Sequence, residues 1–259
     1  MGVCVGLGAA PIAHAQEIAC RFGVVGGGKV ARIVDGRSFV LDDGREVRLA
    51  AIEVPGPDET RTAGAEAAKA ALESMLAGRT VDLRNERPAQ DRYGRTLAYV
   101  DVVDEGPVRP VAHAMLASGH ARVAAEVGNT ACAAELLSRE RAARMAKLGL
   151  WSDPYYVVRG AERFEDLLAE RGHFTVVEGK VLSVRESGGT IYMNFGRRWS
   201  QALTVTISKR HERMFAGAGV QPKRLTNRLV RVRGWIDERS GPRIEATRPE
   251  QIEMAELNR

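Results

Sequence analysis

The stretch Val30-Ala31-Arg32-Ile33-Val34-Asp35-Gly36-Arg37-Ser38-Phe39-Val40-Leu41-Asp42-Asp43-Gly44-Arg45-Glu46-Val47-Arg48-Leu49-Ala50-Ala51-Ile52 decides the fold. Three strand-like runs, 30–34, 38–41 and 47–52, are separated by Asp35-Gly36 and Asp43-Gly44. Asp-Gly between such runs signals tight hairpins, so three antiparallel strands are expected in succession. Residues 63–77 then place Ala68, Ala71, Leu72, Met75 and Leu76 on one helical face, with Gly78 as the C-terminal stop. Residues 80–83 and 96–103 read as two further strands and 111–118 as a short helix. Asn129 or Thr130 caps a longer helix that ends near Gly149. Strand, strand, strand, helix, strand, strand is the order of a five-stranded OB-type barrel, here followed by two helices.

The same order returns later in the chain. Residues 174–184, 190–195 and 202–207 read as strands, 209–216 as a short helix, and 229–236 and 243–247 as strands. The expected fold is therefore mainly β with helices (α+β), built from two OB-type five-stranded barrels. The expected organisation is a signal-peptide-like segment at 1–15, a first barrel domain at 16–153, a linker with a short helix at 154–172, and a second OB-like domain at 173–255. No residue-level repeat relates the two halves.

A chain of 259 residues is long enough for two small domains that each bury a core. Hydrophobic content of 44% and charged content of 27% are those of an ordinary globular protein. A net charge of +5 and a pI of about 9.3 favour an anionic partner over a cationic one. Residues 3–12 are small and apolar and lead to Ala13-His14-Ala15, a short hydrophobic region before an A-x-A cleavage site, which implies an exported, periplasmic or secreted protein. Nothing else approaches the roughly 18 apolar residues of a membrane span. Cys4 falls within the segment to be removed. Cys20 and Cys132 then suggest one disulfide in an oxidising compartment, two separate thiols being the alternative. No Cys-x-x-Cys or His-x-x-x-His spacing is present, so zinc is not expected.

Several motifs together resemble the thermonuclease (staphylococcal-nuclease-like) family over residues 28–153. They are Val34-Asp35-Gly36, Arg48-Leu49 with Val54-Pro55, Asp91-x-Tyr93-Gly94-Arg95-x-Leu97-Ala98-Tyr99, and Glu140-x-Ala142 followed by Leu148-Gly149-Leu150-Trp151. The resemblance implies an OB barrel and secreted, calcium-dependent phosphodiesterase chemistry, in a family that also has non-catalytic members binding nucleic acid or protein. It assigns Arg48 and Arg95 to the two phosphate-binding arginines of the catalytic site and Glu53 to a calcium-ligand position. It also marks departures. Arg37 stands where a second metal-binding aspartate belongs, Val54 replaces a hydroxyl-bearing residue, and Gly56 occupies the general-base position.

A guanidinium fork suits phosphate oxygens, a carboxylate suits the activation of water, and a metal adds fixed positive charge. Arg37 would instead repel a cation, by about 4 kcal/mol for two unit charges 4 Å apart at an effective dielectric of 20. No cofactor is expected, and calcium only if the altered site still binds metal. The expected function is binding of nucleic acid, a nucleotide or another phosphate-bearing anion through an arginine clamp. Calcium-dependent hydrolysis is disfavoured by the missing metal ligand and base. The alternatives are an active phosphodiesterase using a rearranged base such as Asp58 or Glu59, and a non-catalytic envelope scaffold with a protein partner. Arg37, Arg84, Arg87, Tyr93, Arg197 and Trp199 are candidate phosphate- or nucleic-acid-binding residues. In the second half, Tyr192, Phe195 and Trp199 interleave with Arg197 and Arg198, the mixture with which OB folds hold single strands.

Overall fold

The computed structural model describes residues 19–56, 62–104 and 106–255; the segment 1–15, Asp58 and Glu59 lie outside them, as does the side chain of Trp199. The fold is α+β. Its first half contains β1 (Val24–Asp35), β2 (Ser38–Leu41), β3 (Glu46–Leu49), β4 (Ile52–Glu53), α1 (Thr62–Leu76), β5 (Thr80–Arg84), β6 (Thr96–Val102), β7 (Arg109–Pro110), α2 (Val111–Ala117), β8 (Arg122–Val123) and α3 (Thr130–Met145). β1 pairs antiparallel with β2 at one end and with β5 at the other. β2 pairs with β3, β5 with β6, and β3 with β6 in parallel, so five strands close on themselves in the OB order.

β1 starts six residues before the run expected from sequence, because Gly26-Gly27-Gly28 belongs to it. Three consecutive glycines carry no strand propensity, yet this strand must bend between two partners, and a register shift lies between Val24 and Gly26. The run 47–52 breaks at Ala51, whose φ of 63° is left-handed, and Ile52–Glu53 leaves the barrel to pair with β8.

Phe39, Leu41, Val47, Leu49, Val81 and Leu83 fill the barrel, and α1 lays Ala68, Leu72 and Leu76 across its end. Burial of Leu72 and Leu76, about 1.5–3 kcal/mol each, docks this Ala-rich helix. Gly36 is required by that docking, since a Cβ there would lie 2.7 Å from the Ala68 Cβ. A disulfide joins Cys20 to Cys132 in the first turn of α3, which Asn129 caps by accepting the Cys132 N–H at 2.9 Å.

The second half comprises β9 (Arg159–Gly160), α4 (Phe164–Ala169), β10 (Phe174–Lys180), β11 (Ser183–Ser187), β12 (Thr190–Asn194), β13 (Thr204–Ser208), α5 (Glu212–Gly217), β14 (Leu229–Glu238), β15 (Pro242–Glu245) and β16 (Ile252–Met254). β10 and β11 are two halves of the strand read from sequence as one, interrupted at Val181 and Leu182. β11 pairs with β12, β12 with β13, β13 with β15 in parallel, β15 with β14, and β14 with β10. The cycle of pairings repeats that of the first half. The two-residue β9 and the terminal β16 extend this sheet and had no legible signal, the first being too short to show a period.

The two halves share a buried ionic junction. Arg233 of β14, 1% exposed, donates to Glu140 of α3 at 2.8 Å and to Glu253 of β16 at 2.9 Å. Glu140 also accepts the Val123 N–H at 2.6 Å and Arg144 at 3.0 Å. Glu250 accepts the N–H groups of Val127 and Gly128, both at 3.0 Å. Beside them the buried Arg122 lies over the rings of Tyr156 and Phe174.

Burial pushes the Glu140 carboxyl up, but the charge and hydrogen bonds of Arg233 outweigh it and hold the pKa below the usual value. A folded pKa below the unfolded one means that protons favour the unfolded chain. The stabilisation is thus complete at neutral pH and is lost as the pH falls through the depressed value. Arg233→Met, which removes the buried cation shared by two carboxylates, is expected to cost about 3–5 kcal/mol in urea denaturation at neutral pH. Glu140→Gln should flatten the acid limb of the stability profile. Cys132→Ala opens a loop of 112 residues and is expected to lower stability by about 2–5 kcal/mol by the same measurement.

Candidate functional site

Arg37, Arg48 and Arg95 are brought together by three separate local devices. The Asp35-Gly36 turn delivers Arg37, whose backbone N–H donates to Asp35 Oδ1 at 2.8 Å. The Arg37 guanidinium donates to the Ile52 carbonyl at 2.6 Å and forms an ion pair with Glu53. Its Nε is buried without a hydrogen-bond partner among the described residues. Arg48 is delivered by strand alternation. Val47 and Leu49 point into the barrel, so Arg48 faces outward between Ser38 of β2 and Leu97 of β6. Its Nη1 reaches Ser38 Oγ at 3.3 Å, and among the described residues no carboxylate lies within ion-pairing distance.

Arg95 is delivered by a turn. Asp91 Oδ1 accepts the N–H groups of Tyr93 at 2.8 Å and Arg95 at 3.1 Å, and Gly94 takes a φ of 79° that a side chain would disfavour. Asp91 Oδ2 then holds Arg95 Nε at 2.7 Å, while Glu46 stands 3.7 Å from the same guanidinium. Tyr93 is 67% exposed, and the guanidinium groups of Arg92 and Arg95 lie over its ring at centroid distances of 4.8 Å and 5.2 Å.

The electrostatics are uneven across this cluster. Burial, followed by the charges of Arg37 and Arg95, pushes the Arg48 pKa down; Glu53 and Asp35 oppose this only in part. Burial also works against Arg95, but the Asp91 hydrogen bond and charge prevail and its pKa is raised. Arg37 and Arg95 thus carry their own carboxylates, whereas Arg48 is matched by a hydroxyl. An anion placed before Arg48 relieves the repulsion of three neighbouring cations.

A calcium ion fits this donor set poorly. The ion takes about six to eight oxygen ligands, whereas the Glu53 carboxylate is held by Arg37 and Asp35 Oδ1 is turned to a backbone N–H. Gly56, exposed after the buried Pro55, presents no side chain. One trio of ligating atoms among the described residues, Cys20, His113 and Glu135, is spoiled because Cys20 is disulfide-bonded.

The other candidates lie in different settings. Arg84 is held by Asp101 at 2.6 Å, by Asp82 at 3.2 Å and by the Phe22 carbonyl at 3.2 Å, bonds that tie it to the sheet rather than to the Arg48 cluster. Arg87 is exposed after β5. Arg197 is exposed in the second half, and Trp199 begins a short 3-10 turn of which the backbone is described. Arg233, part of an alternating basic strand, is an interior ion-pair residue. Sequence reading missed Ser38 and Asp91 as partners of Arg48 and Arg95. The Asp91 role had a signal, an aspartate two residues before a Tyr-Gly turn.

The family described as Staphylococcal nuclease homologue matches residues 46–153. Protein ParB of Escherichia coli is 40% identical over 136 residues, covering 50% of this chain and 75% of its own length. Thermonuclease of Staphylococcus intermedius is 37% identical over 82 residues, covering 29% of this chain and 49% of its own length. The matched segment carries Arg48, Glu53 and Arg95 on the strands and turns described above. The chain belongs to the staphylococcal-nuclease-like family, as a divergent member whose nuclease-like domain is one for binding or hydrolysing nucleic acid.

Proposed function

We propose that this is an exported protein that grips nucleic acid, or another phosphate-bearing anion, with Arg48 at the centre of a clamp flanked by Arg37 and Arg95, and that it does not hydrolyse phosphodiesters with calcium. The observation that carries the reading is the imbalance at Arg48, a half-buried guanidinium crowded by two others and matched, among the described residues, by a neutral hydroxyl. A phosphate before it gains charge-assisted hydrogen bonds and screens like charges from one another. Arg37 supports the grip indirectly. Its guanidinium supplies the positive charge that a cation would otherwise bring beside Glu53, and it leaves that carboxylate neutralised. Tyr93, exposed next to Arg95, offers apolar ring surface to a base or sugar.

Hydrolysis further requires a group that takes a proton from the attacking water. The position after Pro55 is Gly56, and among the described residues the carboxylates of Glu53 and Asp91 are each engaged by an arginine. Export is supported by the apolar run before Ala13-His14-Ala15 and by the Cys20–Cys132 bridge. No helix among the described residues is long and apolar enough to cross a membrane.

In fluorescence titrations with a labelled oligonucleotide in EDTA, Arg48→Ala is expected to weaken binding about 10- to 100-fold, the effect of one charged hydrogen-bond partner. Arg37→Ala should weaken it less, and affinity unchanged in both variants would sink the clamp. Incubation of single- and double-stranded DNA and RNA with calcium should yield no products. Fragments that require calcium and vanish in Arg48→Ala would show the protein to be a nuclease instead.

A further inference from the structure

A second groove, of about 700 Å³, lies on the outer face of the second barrel. Ile191, Met193, Val205 and Ile207 point into the core, so the alternate residues of β11, β12 and β13 face outward. Arg185, Tyr192 and Thr206 pair across these strands into one row, and Ser183, Asn194 and Thr204 into the next. Arg197, Arg239 and Arg243 complete the wall.

Four arginines line this groove and no carboxylate does. Arg243 is held by Asp237 at 2.7 Å, with Glu245 nearby; Arg185, Arg197 and Arg239 make no ion pair among the described residues. The basic cleft between the halves differs in this respect, because its Arg144, Arg159 and Arg231 are each paired with glutamate. Thr206 adds an independent sign of a missing partner. It is 4% exposed, it lines the groove, and its hydroxyl has no hydrogen-bond partner among the described residues. A buried hydroxyl left unmet is unfavourable until a ligand atom satisfies it.

We propose that this groove is a second binding site, which takes a single-stranded polynucleotide. Backbone phosphates lie along Arg185, Arg197 and Arg239. The half-buried Tyr192 ring offers a face to an unpaired base, and the Thr206 hydroxyl, with Ser183 and Asn194, meets sugar or base-edge atoms. A duplex keeps its base faces stacked inside and cannot use the ring. The site is separate from the Arg48 cluster and stands or falls without it.

The test is anisotropy titration of the full chain with fluorescein-labelled oligothymidylate in EDTA. The triple variant Arg185→Ala, Arg197→Ala, Arg239→Ala changes exposed side chains only, and is expected to bind about tenfold or more weakly, with a log–log salt slope shallower by about 2. Thr206→Val, which exchanges hydroxyl for methyl at constant shape, should weaken binding about two- to tenfold. Affinity within twofold of wild type in the triple variant overturns the proposal, even if Arg48→Ala abolishes binding, in which case the first-barrel clamp alone survives. Weakening in the triple variant supports the second site whether or not Arg48→Ala has an effect. Competition by thymidine monophosphate as effective per molecule as the oligonucleotide would reduce the groove to a phosphate site and also overturn the proposal.

Discussion

The Arg233 guanidinium is the constraint on which the rest of the molecule depends. Removed from water, it is tolerated because Glu140 and Glu253 approach it from elements on either side of the junction. Such a buried pair contributes little net energy compared with an apolar replacement, but breaking it is expensive. Its consequence here is geometric. Glu140 holds the Val123 N–H, Val123 lies in β8, and β8 pairs with Ile52–Glu53. A carboxylate at the candidate site is thereby braced by a residue of the other half of the chain.

The clamp region shows how one exchange of charge type reorganises its neighbours. With an arginine at position 37, Glu53 is matched by a covalently tethered cation. That cation has lower charge density than a divalent ion and presents no coordination sites. The same exchange leaves three guanidinium groups close together, and the burden falls on Arg48, the one without a carboxylate of its own among the described residues. That uneven pairing is the feature on which the proposed grip on an anion rests.

Two closed sheets of the same pairing order carry very different outer faces. In the first, carboxylates from turns and strand ends answer Arg95 and Arg84 individually. In the second, the outward rows of β11, β12 and β13 are hydroxyls, an amide, a ring and one arginine, with three further arginines beside them. Pairing order depends on the inward residues, which are apolar in both, so the outward residues are free to diverge. Architecture alone therefore says nothing of what either face binds.

Much of the fold was legible because it rests on local rules. The Asp35-Gly36 and Asp43-Gly44 turns, the period-two runs of β2, β3 and β12, and the alanine-rich face of α1 each declare themselves within a few residues. So did Arg48 and Arg95, through short motifs. The triple glycine of β1 and the left-handed Ala51 were hidden because long-range pairing overrides local preference there. Hidden too were the burial of Arg233 between halves far apart in sequence and the unmet hydroxyl of Thr206, whereas the pairing of Arg37 with Glu53 followed from the arginine standing at the metal-ligand position. The sequence by itself determined which elements form and which side chains alternate outward. Tertiary structure decided which charges meet, because Coulomb energy and desolvation depend on distance and burial in space, and position along the chain encodes neither.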